Sequence, residues 1–261
     1  LEFQEAEVQT LVDLGLTSMQ AKIYFNLAKS GPSSVAAIAK QSKVNMPHVY
    51  QTVTKLHDLG LVERIVTAPA LFKAASADQT LKLLRRKNGL QDNLEVNVKP
   101  LIDTGVNKKQ AHLADKFVLI PQNDAVLERV GQAIKKTKFS MDFIVSWRFF
   151  KAYALGSYPV RPVGDSVNCR CILEQSSSEW DHELLGLVRQ TKNCKFKFTP
   201  NRLSALLAIF DRKEIVVIED SPSNLNKNPA LWTNNENLVT ISQNYFDSLW
   251  LKTKNEPALS R

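Results

Sequence analysis

Cysteine is scarce in this 261-residue chain, and the three present, Cys169, Cys171 and Cys194, make an odd number. A low, odd count argues against the disulfide scaffold that small secreted domains use. Long apolar runs are also missing. None approaches the roughly 20 residues that a membrane-spanning helix needs, so no membrane association is expected. The first residues, Leu1-Glu2-Phe3-Gln4-Glu5, lack a basic segment followed by an apolar one, which gives no reason to read a secretory signal. Leu1 is not a natural start, so the chain is expected to be truncated, processed or joined to a cloning remnant. A cytoplasmic protein is the simplest expectation. There is no Gly-rich phosphate loop, nucleophile elbow or Walker motif. The four histidines, His48, His57, His112 and His182, form no pair with metal-ligand spacing. No catalytic residue, metal site or cofactor is read from the sequence.

Acidic residues are absent from one particular stretch. Between Leu14 and His57 there are five lysines (Lys22, Lys29, Lys40, Lys43 and Lys55) and neither Asp nor Glu. The whole chain carries a formal charge of +8, which permits a polyanionic partner. The position of the positive field matters more than its sum, because it coincides with the most patterned part of the chain.

That part is Ser33 to Lys73. In Asn45-Met46-Pro47-His48-Val49-Tyr50-Gln51-Thr52-Val53-Thr54-Lys55-Leu56, the apolar Val49, Val53 and Leu56 recur at i, i+4 and i+7. This spacing predicts a helix with one buried stripe. His48, Gln51, Thr52 and Lys55 fall on the opposite face, which offers hydrogen-bonding and cationic groups and no carboxylate. Such a helix suits the DNA major groove. Upstream, Thr17 is placed to cap a helix over Ser18–Lys29, which Gly31-Pro32 ends. Ser33 or Ser34 is placed to cap a short helix containing Val35, Ile38 and Ala39. Asn45 is placed to cap the patterned helix, Pro47 is tolerated in its first turn, and Gly60 closes it. A strand over Leu61–Val66, a turn at Thr67–Ala70 and a return over Leu71–Lys73 complete a winged-helix arrangement.

The 44% hydrophobic content and the length suit two domains. The expected divisions are 1–77 for the winged helix, 78–112 for a dimerising helix and linker, and 113–261 for an α/β domain. Leu83, Leu90, Leu94, Asn97 and Leu101 come near a heptad pattern, which favours a dimerising helix over one packed on its own domain. The linker is placed at Thr104–His112. Strands are then expected at Phe117–Ile120, Phe139–Val145, Val167–Leu173, Cys194–Phe198, Leu206–Phe210 and Glu214–Ile218. Helices are expected at Asp124–Thr137, Trp147–Leu155, Ser178–Gln190 and Asn237–Lys252. Strands alternating with helices imply a mixed sheet.

Several motif words come in order with matching gaps: Leu14-Gly15-Leu16-Thr17, Ala21-Lys22-Ile23-Tyr24, Gly31-Pro32, Ile38-Ala39, Val49-Tyr50 and Leu56-x-x-Leu59-Gly60-Leu61-Val62. Over about the first eighty residues the chain resembles the TrmB family of archaeal transcriptional regulators. Ile209 to Ile218 and Leu231-Trp232-Thr233-Asn234-Asn235 more weakly resemble the phospholipase D-like domain found in many of them. The active motif of that domain is His-x-Lys-x4-Asp. With Asp211 in its last place, Ser204 and Leu206 stand where histidine and lysine belong. The resemblance therefore implies a non-catalytic domain used for dimerisation or ligand sensing. Founding members carry a further sugar-binding domain, and a sugar effector is not expected in a chain that ends soon after Trp250.

The expectation is a homodimeric, sequence-specific DNA-binding regulator, not an enzyme, with α+β and α/β domains. His48, Gln51, Thr52 and Lys55 are placed at base edges or flanking phosphates, with Pro47 in the first turn of the same helix. Ser33, Ser34, Lys43 and Asn45 are placed for phosphate positioning, and Arg64 and Lys73 on the hairpin for backbone contact. An unidentified small-molecule effector is left open as a partner. The alternatives are a phosphodiesterase-like enzyme tethered to DNA and an interaction adaptor that binds no DNA. For the cysteines, buried small hydrophobes are favoured over a redox switch or soft-metal site, for which His182 is the nearest further ligand. For Trp147, Trp180, Trp232 and Trp250, core packing is favoured over an effector pocket.

Overall fold

The fold is taken from a computed structural model that describes residues 2–88, 117–121, 123–150, 167–174, 186, 188, 194–201, 203, 205–219 and 229–253. The chain divides into two compact units, Leu1–Val126 and Leu127–Arg261. The expected linker, the helix at Ser178–Gln190 apart from Gly186 and Val188, the part of the helix at Trp147–Leu155 beyond Phe150, and most of the heptad positions lie outside the described residues.

The first unit opens with α1 (Glu2–Asp13) and α2 (Ser18–Ser30), followed by the two-residue strand β1 (Ser33–Ser34), α3 (Val35–Ser42) and α4 (Met46–Asp58). The hairpin strands β2 (Val62–Ile65) and β3 (Leu71–Ala74) come next, then α5 (Ala77–Asn88). The helix starts follow from their caps. The Thr17 hydroxyl accepts the Gln20 amide while the Gln20 side chain accepts the Thr17 amide, a reciprocal capping box. Ser34 caps α3, and the Asn45 side-chain oxygen accepts the His48 amide at 3.1 Å.

β1 pairs with β3, β3 with β2, and β2 with β4 (Phe117–Ile120), all antiparallel. The hairpin is therefore flanked on both sides. Arg64 stands opposite Leu119, and the Val66 amide donates to the Phe117 carbonyl at 2.9 Å.

The core of this unit gathers Ile23, Tyr24, Leu27, Ile38, Val49, Val53 and Leu56, all buried. Tyr24 crosses it, with its hydroxyl 2.7 Å from that of Thr80 and donating to the Ala75 carbonyl at 3.2 Å. Burial pushes the Tyr24 phenol well above its ordinary value, offset in small part by the Thr80 hydrogen bond. In α5, Leu81 and Leu84 are buried in this same core, and Leu83 packs against it. The described part of the expected dimerising helix thus packs on its own domain.

The second unit is a sheet in the order β10-β9-β8-β5-β6-β7. Its strands are β5 (Ser140–Val145), β6 (Asn168–Glu174), β7 (Cys194–Thr199), β8 (Ala205–Phe210), β9 (Glu214–Glu219) and β10 (Ala230–Thr233). β5, β6 and β7 run parallel, and the other neighbours are antiparallel, so the sheet is mixed as expected. Helix α6 (Asn123–Lys136) precedes β5, and α7 (Glu236–Lys252) packs Val239 and Phe246 onto Ile144, Ile172, Ile209 and Ile215. Strands β1 and β10 and helix α1 are additions to the elements expected from the sequence.

The reading of the cysteines is overturned. Cys169 and Cys194 are joined as a disulfide, while Cys171 is a free, buried thiol. The reason is register: parallel pairing of β6 with β7 sets Cys169 directly opposite Cys194, with Cα atoms 4.4 Å apart. Burial pushes the Cys171 thiol up.

Gly60 is the tightest point of the first unit. Its φ is +73°, and a Cβ placed there would lie 2.8 Å from the Cβ of Ala125 and 3.3 Å from a methyl of Leu83. Gly60→Ala should therefore destabilise by about 2 kcal/mol or more, combining left-handed strain with overpacking. Thermal melting followed by circular dichroism checks this, and an unchanged midpoint would rule out the close approach.

Candidate nucleic-acid interface

Helix α4 has three distinct faces. Val49, Val53 and Leu56 are fully buried and anchor its back. His48, Gln51 and Lys55 are exposed and form a polar ridge. Asp58 is the first carboxylate on this ridge, at its C-terminal end, 3.8 Å from His57. Thr52 is half-buried beside the ridge, and its hydroxyl donates to the His48 carbonyl at 2.7 Å. That donor is committed within the helix, so Thr52 presents chiefly its methyl and remaining lone pairs.

The third face was not singled out from the sequence. Met46 and Tyr50 are 52% and 59% exposed, four residues apart, and turned toward the hairpin. They line a groove of about 340 Å³ together with Pro69, Ala70 and Phe72 of the hairpin. The groove also reaches Ser34 and Val35 at the start of α3, and Thr54, His57 and Arg64. A signal was available: Met46 and Tyr50 stand at i, i+4 outside the buried stripe, so a strictly two-faced reading of the helix left them unassigned.

The remaining expected contacts divide. Lys43 is exposed and closes α3 at a φ of 55° in the left-handed region. Lys40 on α3 is exposed as well. Asn45 and Ser34 are occupied as helix caps, and Pro47 sits in the first turn of α4. Arg64 is exposed on β2, and Lys73 on β3 is half-buried. Ser33 is a correction. It is buried in β1 and its hydroxyl donates to the Gly31 carbonyl at 3.0 Å, so it offers no outward donor. The positive field is also smaller than the sequence suggests. Lys29 lies 3.8 Å from Glu7 of α1 and over the Phe25 ring, away from α4's ridge residues in its pairing.

In the second unit, Asp211 has a structural use. Its carboxylate accepts the backbone amides of Lys138, Phe139 and Ser140 at 2.9, 2.7 and 2.9 Å. Partial burial raises its pKa, but these three donors and the nearby Lys213 more than offset that and hold the carboxyl below the usual Asp value. Leu206, at the expected lysine place, is buried, and Ser204 lies outside the described residues. The tryptophans that are described pack against protein. Trp232 donates to Glu214 at 2.7 Å, Trp250 stacks on Phe246, and Trp147 is buried.

Asp211→Asn should lower stability by about 1–2 kcal/mol, through weaker acceptance of three backbone amides. Because the folded carboxyl is held low, its contribution is present above the unfolded Asp value and is lost as pH falls through the folded one. Urea melts of both proteins at neutral pH and near pH 3 check this: the gap between them should narrow in acid.

Residues 11–78 match the family model described as the sugar-specific transcriptional regulator TrmB. No curated protein matches the chain. Among solved structures, the chain is similar to TrmBL2, described as an archaeal chromatin protein that shows a novel mode of DNA binding. The two are 14% identical, the match covers 97% of this chain and 99% of that one, and the TM-score is 0.46. It is also similar to NucT from Helicobacter pylori, at 14% identity over 54% of this chain and 98% of that one, with a TM-score of 0.40. Both scores lie below 0.5, and neither likeness bears on what α4 does. The motif words read from the sequence, Leu14 to Val62, all fall within residues 11–78.

Proposed function

We propose that this chain is a DNA-binding transcription regulator that acts through its winged helix. The observation that carries the reading is α4. Its apolar back is locked in the core, while His48, Gln51 and Lys55 stand exposed on a ridge without a carboxylate before Asp58, inside the segment that matches the TrmB model. A rigidly held helix with outward amide, imidazole and ammonium groups matches the donors and acceptors of a major-groove edge. Exposed Lys40 and Lys43 on and after α3, and Arg64 on β2, flank it with cations for phosphates.

The finer reading is a homodimer on a pseudo-palindromic site, with two α4 helices in successive major grooves. The second unit serves dimerisation and, where an effector exists, its sensing. Among the described residues, no helix is long and apolar enough to cross a membrane.

The direct test is fluorescence anisotropy with DNA from the gene's own upstream region against scrambled DNA, across a salt series. Tighter binding to the native DNA that survives physiological salt supports a specific regulator. Equal binding that collapses with salt leaves a sequence-independent binder, and no binding at low salt overturns the reading.

Two substitutions separate the roles of the ridge. Gln51→Ala should cost about 1–3 kcal/mol on the preferred site and less on random DNA. Equal losses on both would remove Gln51 from base readout. Lys55→Ala should weaken binding on every sequence and reduce the slope of log affinity against log salt by about one. A slope identical to that of the wild type would exclude a phosphate contact.

A further inference from the structure

The polar ridge of α4 leaves Met46 and Tyr50 without a role. Both are large, largely exposed, and stacked one helical turn apart. Neither helps the core, since the buried positions of α4 are Val49, Val53 and Leu56. Across the groove stand Pro69, Ala70 and Phe72, so apolar groups face one another, with Ser34, Thr54, His57 and Arg64 as the polar members of the lining. The lining contains no carboxylate, and the exposed Arg64 stands at it. An apolar slot with a cation and no acid, continuous with the ridge placed at base edges, suits the edge of a DNA strand. In the major groove the apolar group that differs between bases is the C5-methyl of thymine.

We propose that Met46 and Tyr50 read thymine through its C5-methyl group, with the hairpin side chains closing the groove on the far side. This rests on the DNA-binding reading above and assigns it a base preference. Gln51 and Met46–Tyr50 then divide the work, hydrogen bonding from the ridge and methyl contact from the flank. Desolvation of the methyl against the Met46 and Tyr50 side chains supplies the discrimination, and Arg64 fixes the strand by its phosphate.

The test uses the full chain and two labelled duplexes of alternating adenine and thymine, one with every thymine replaced by deoxyuridine. The duplexes pair alike and differ by the methyl group. At one fixed salt concentration, the wild type should bind the thymine duplex about four- to fifteenfold tighter, the range set by burial of one or two methyl groups. The double variant Met46→Ala, Tyr50→Ala should bring that ratio close to one, whatever it does to affinity for the uracil duplex. Tyr50→Phe alone should keep the preference, because the ring remains. Both side chains are exposed, so thermal midpoints should stay close to the wild type. Equal wild-type affinity for the two duplexes overturns the thymine assignment and leaves DNA binding standing. A preference that persists in the double variant also overturns it. Failure to bind either duplex at low salt removes the DNA-binding reading as well.

Discussion

The burial of Val49, Val53 and Leu56 is the constraint on which the first unit turns. These three side chains are completely enclosed by the core that α2, α3 and the hairpin share. They leave α4 no freedom to rotate about its axis without exposing them. Every outward residue of the helix thereby acquires a fixed direction. The ends are fixed too, by the Asn45 cap at one and by Gly60 at the other. Gly60 lets the chain turn sharply into β2 while Ala125 and Leu83 pack against its backbone. Helix and hairpin are therefore set against each other by packing, and the width of the groove between them follows from that packing.

That geometry explains why one helix can present two kinds of chemistry. Around a helix, a stripe of about a third of the circumference is enough to bury it. The remainder divides according to what lies beside it. The side facing open solvent carries His48, Gln51 and Lys55, where hydrogen-bonding groups stay hydrated until a partner arrives. The side facing the hairpin carries Met46 and Tyr50, where the nearby apolar walls lower the cost of leaving such side chains partly uncovered. Placing acids on α1, where Glu7 meets Lys29, keeps negative charge off α4 until Asp58.

Local features of the chain were legible in the sequence, and non-local pairings were not. The caps at Thr17, Ser34 and Asn45, the stop at Gly60 and the turn at Asp211 each depend on a few adjacent residues, so residue type sufficed. In α1, Leu11 is buried while Val8 and Val12 only pack partly against the core, and this weak pattern gave no signal. Strand β4 was read as a strand, but its pairing with β2 joins positions more than fifty residues apart in sequence, which periodicity cannot specify. The same limit hid the bond between Cys169 and Cys194. An odd cysteine count said nothing about which strands would be neighbours, whereas parallel register decided it. In the candidate site, the ridge was legible because alternation of polar and apolar residues marks it. The third face depends on where the hairpin stands, and Ser33 was misplaced because a serine beside a helix start can cap, or pair in a strand, with equal local chemistry.

In the second unit, two carboxylates serve the sheet itself. Asp211 is held at a φ of 51° and spends its carboxylate on three consecutive backbone amides that enter β5. An acid that ties down a strand start is costly to replace whether or not a nucleophile stands nearby. Charge is used in the same way at Asp142, a buried carboxylate that receives two 2.7 Å bonds from Arg170 and one at 2.9 Å from Gln243. Arg170 also reaches Asp247 at 2.8 Å and lies over the rings of Phe246 and Trp250. A charge buried this deeply is tolerable because it is paired and hydrogen-bonded on several sides. The cluster ties β5 and β6 to α7 in one arrangement, since Asp142 and Arg170 stand opposite each other in register while Gln243 and Asp247 share one helix face. Both acids therefore do positional work on the sheet, and their presence is accounted for by the geometry they enforce.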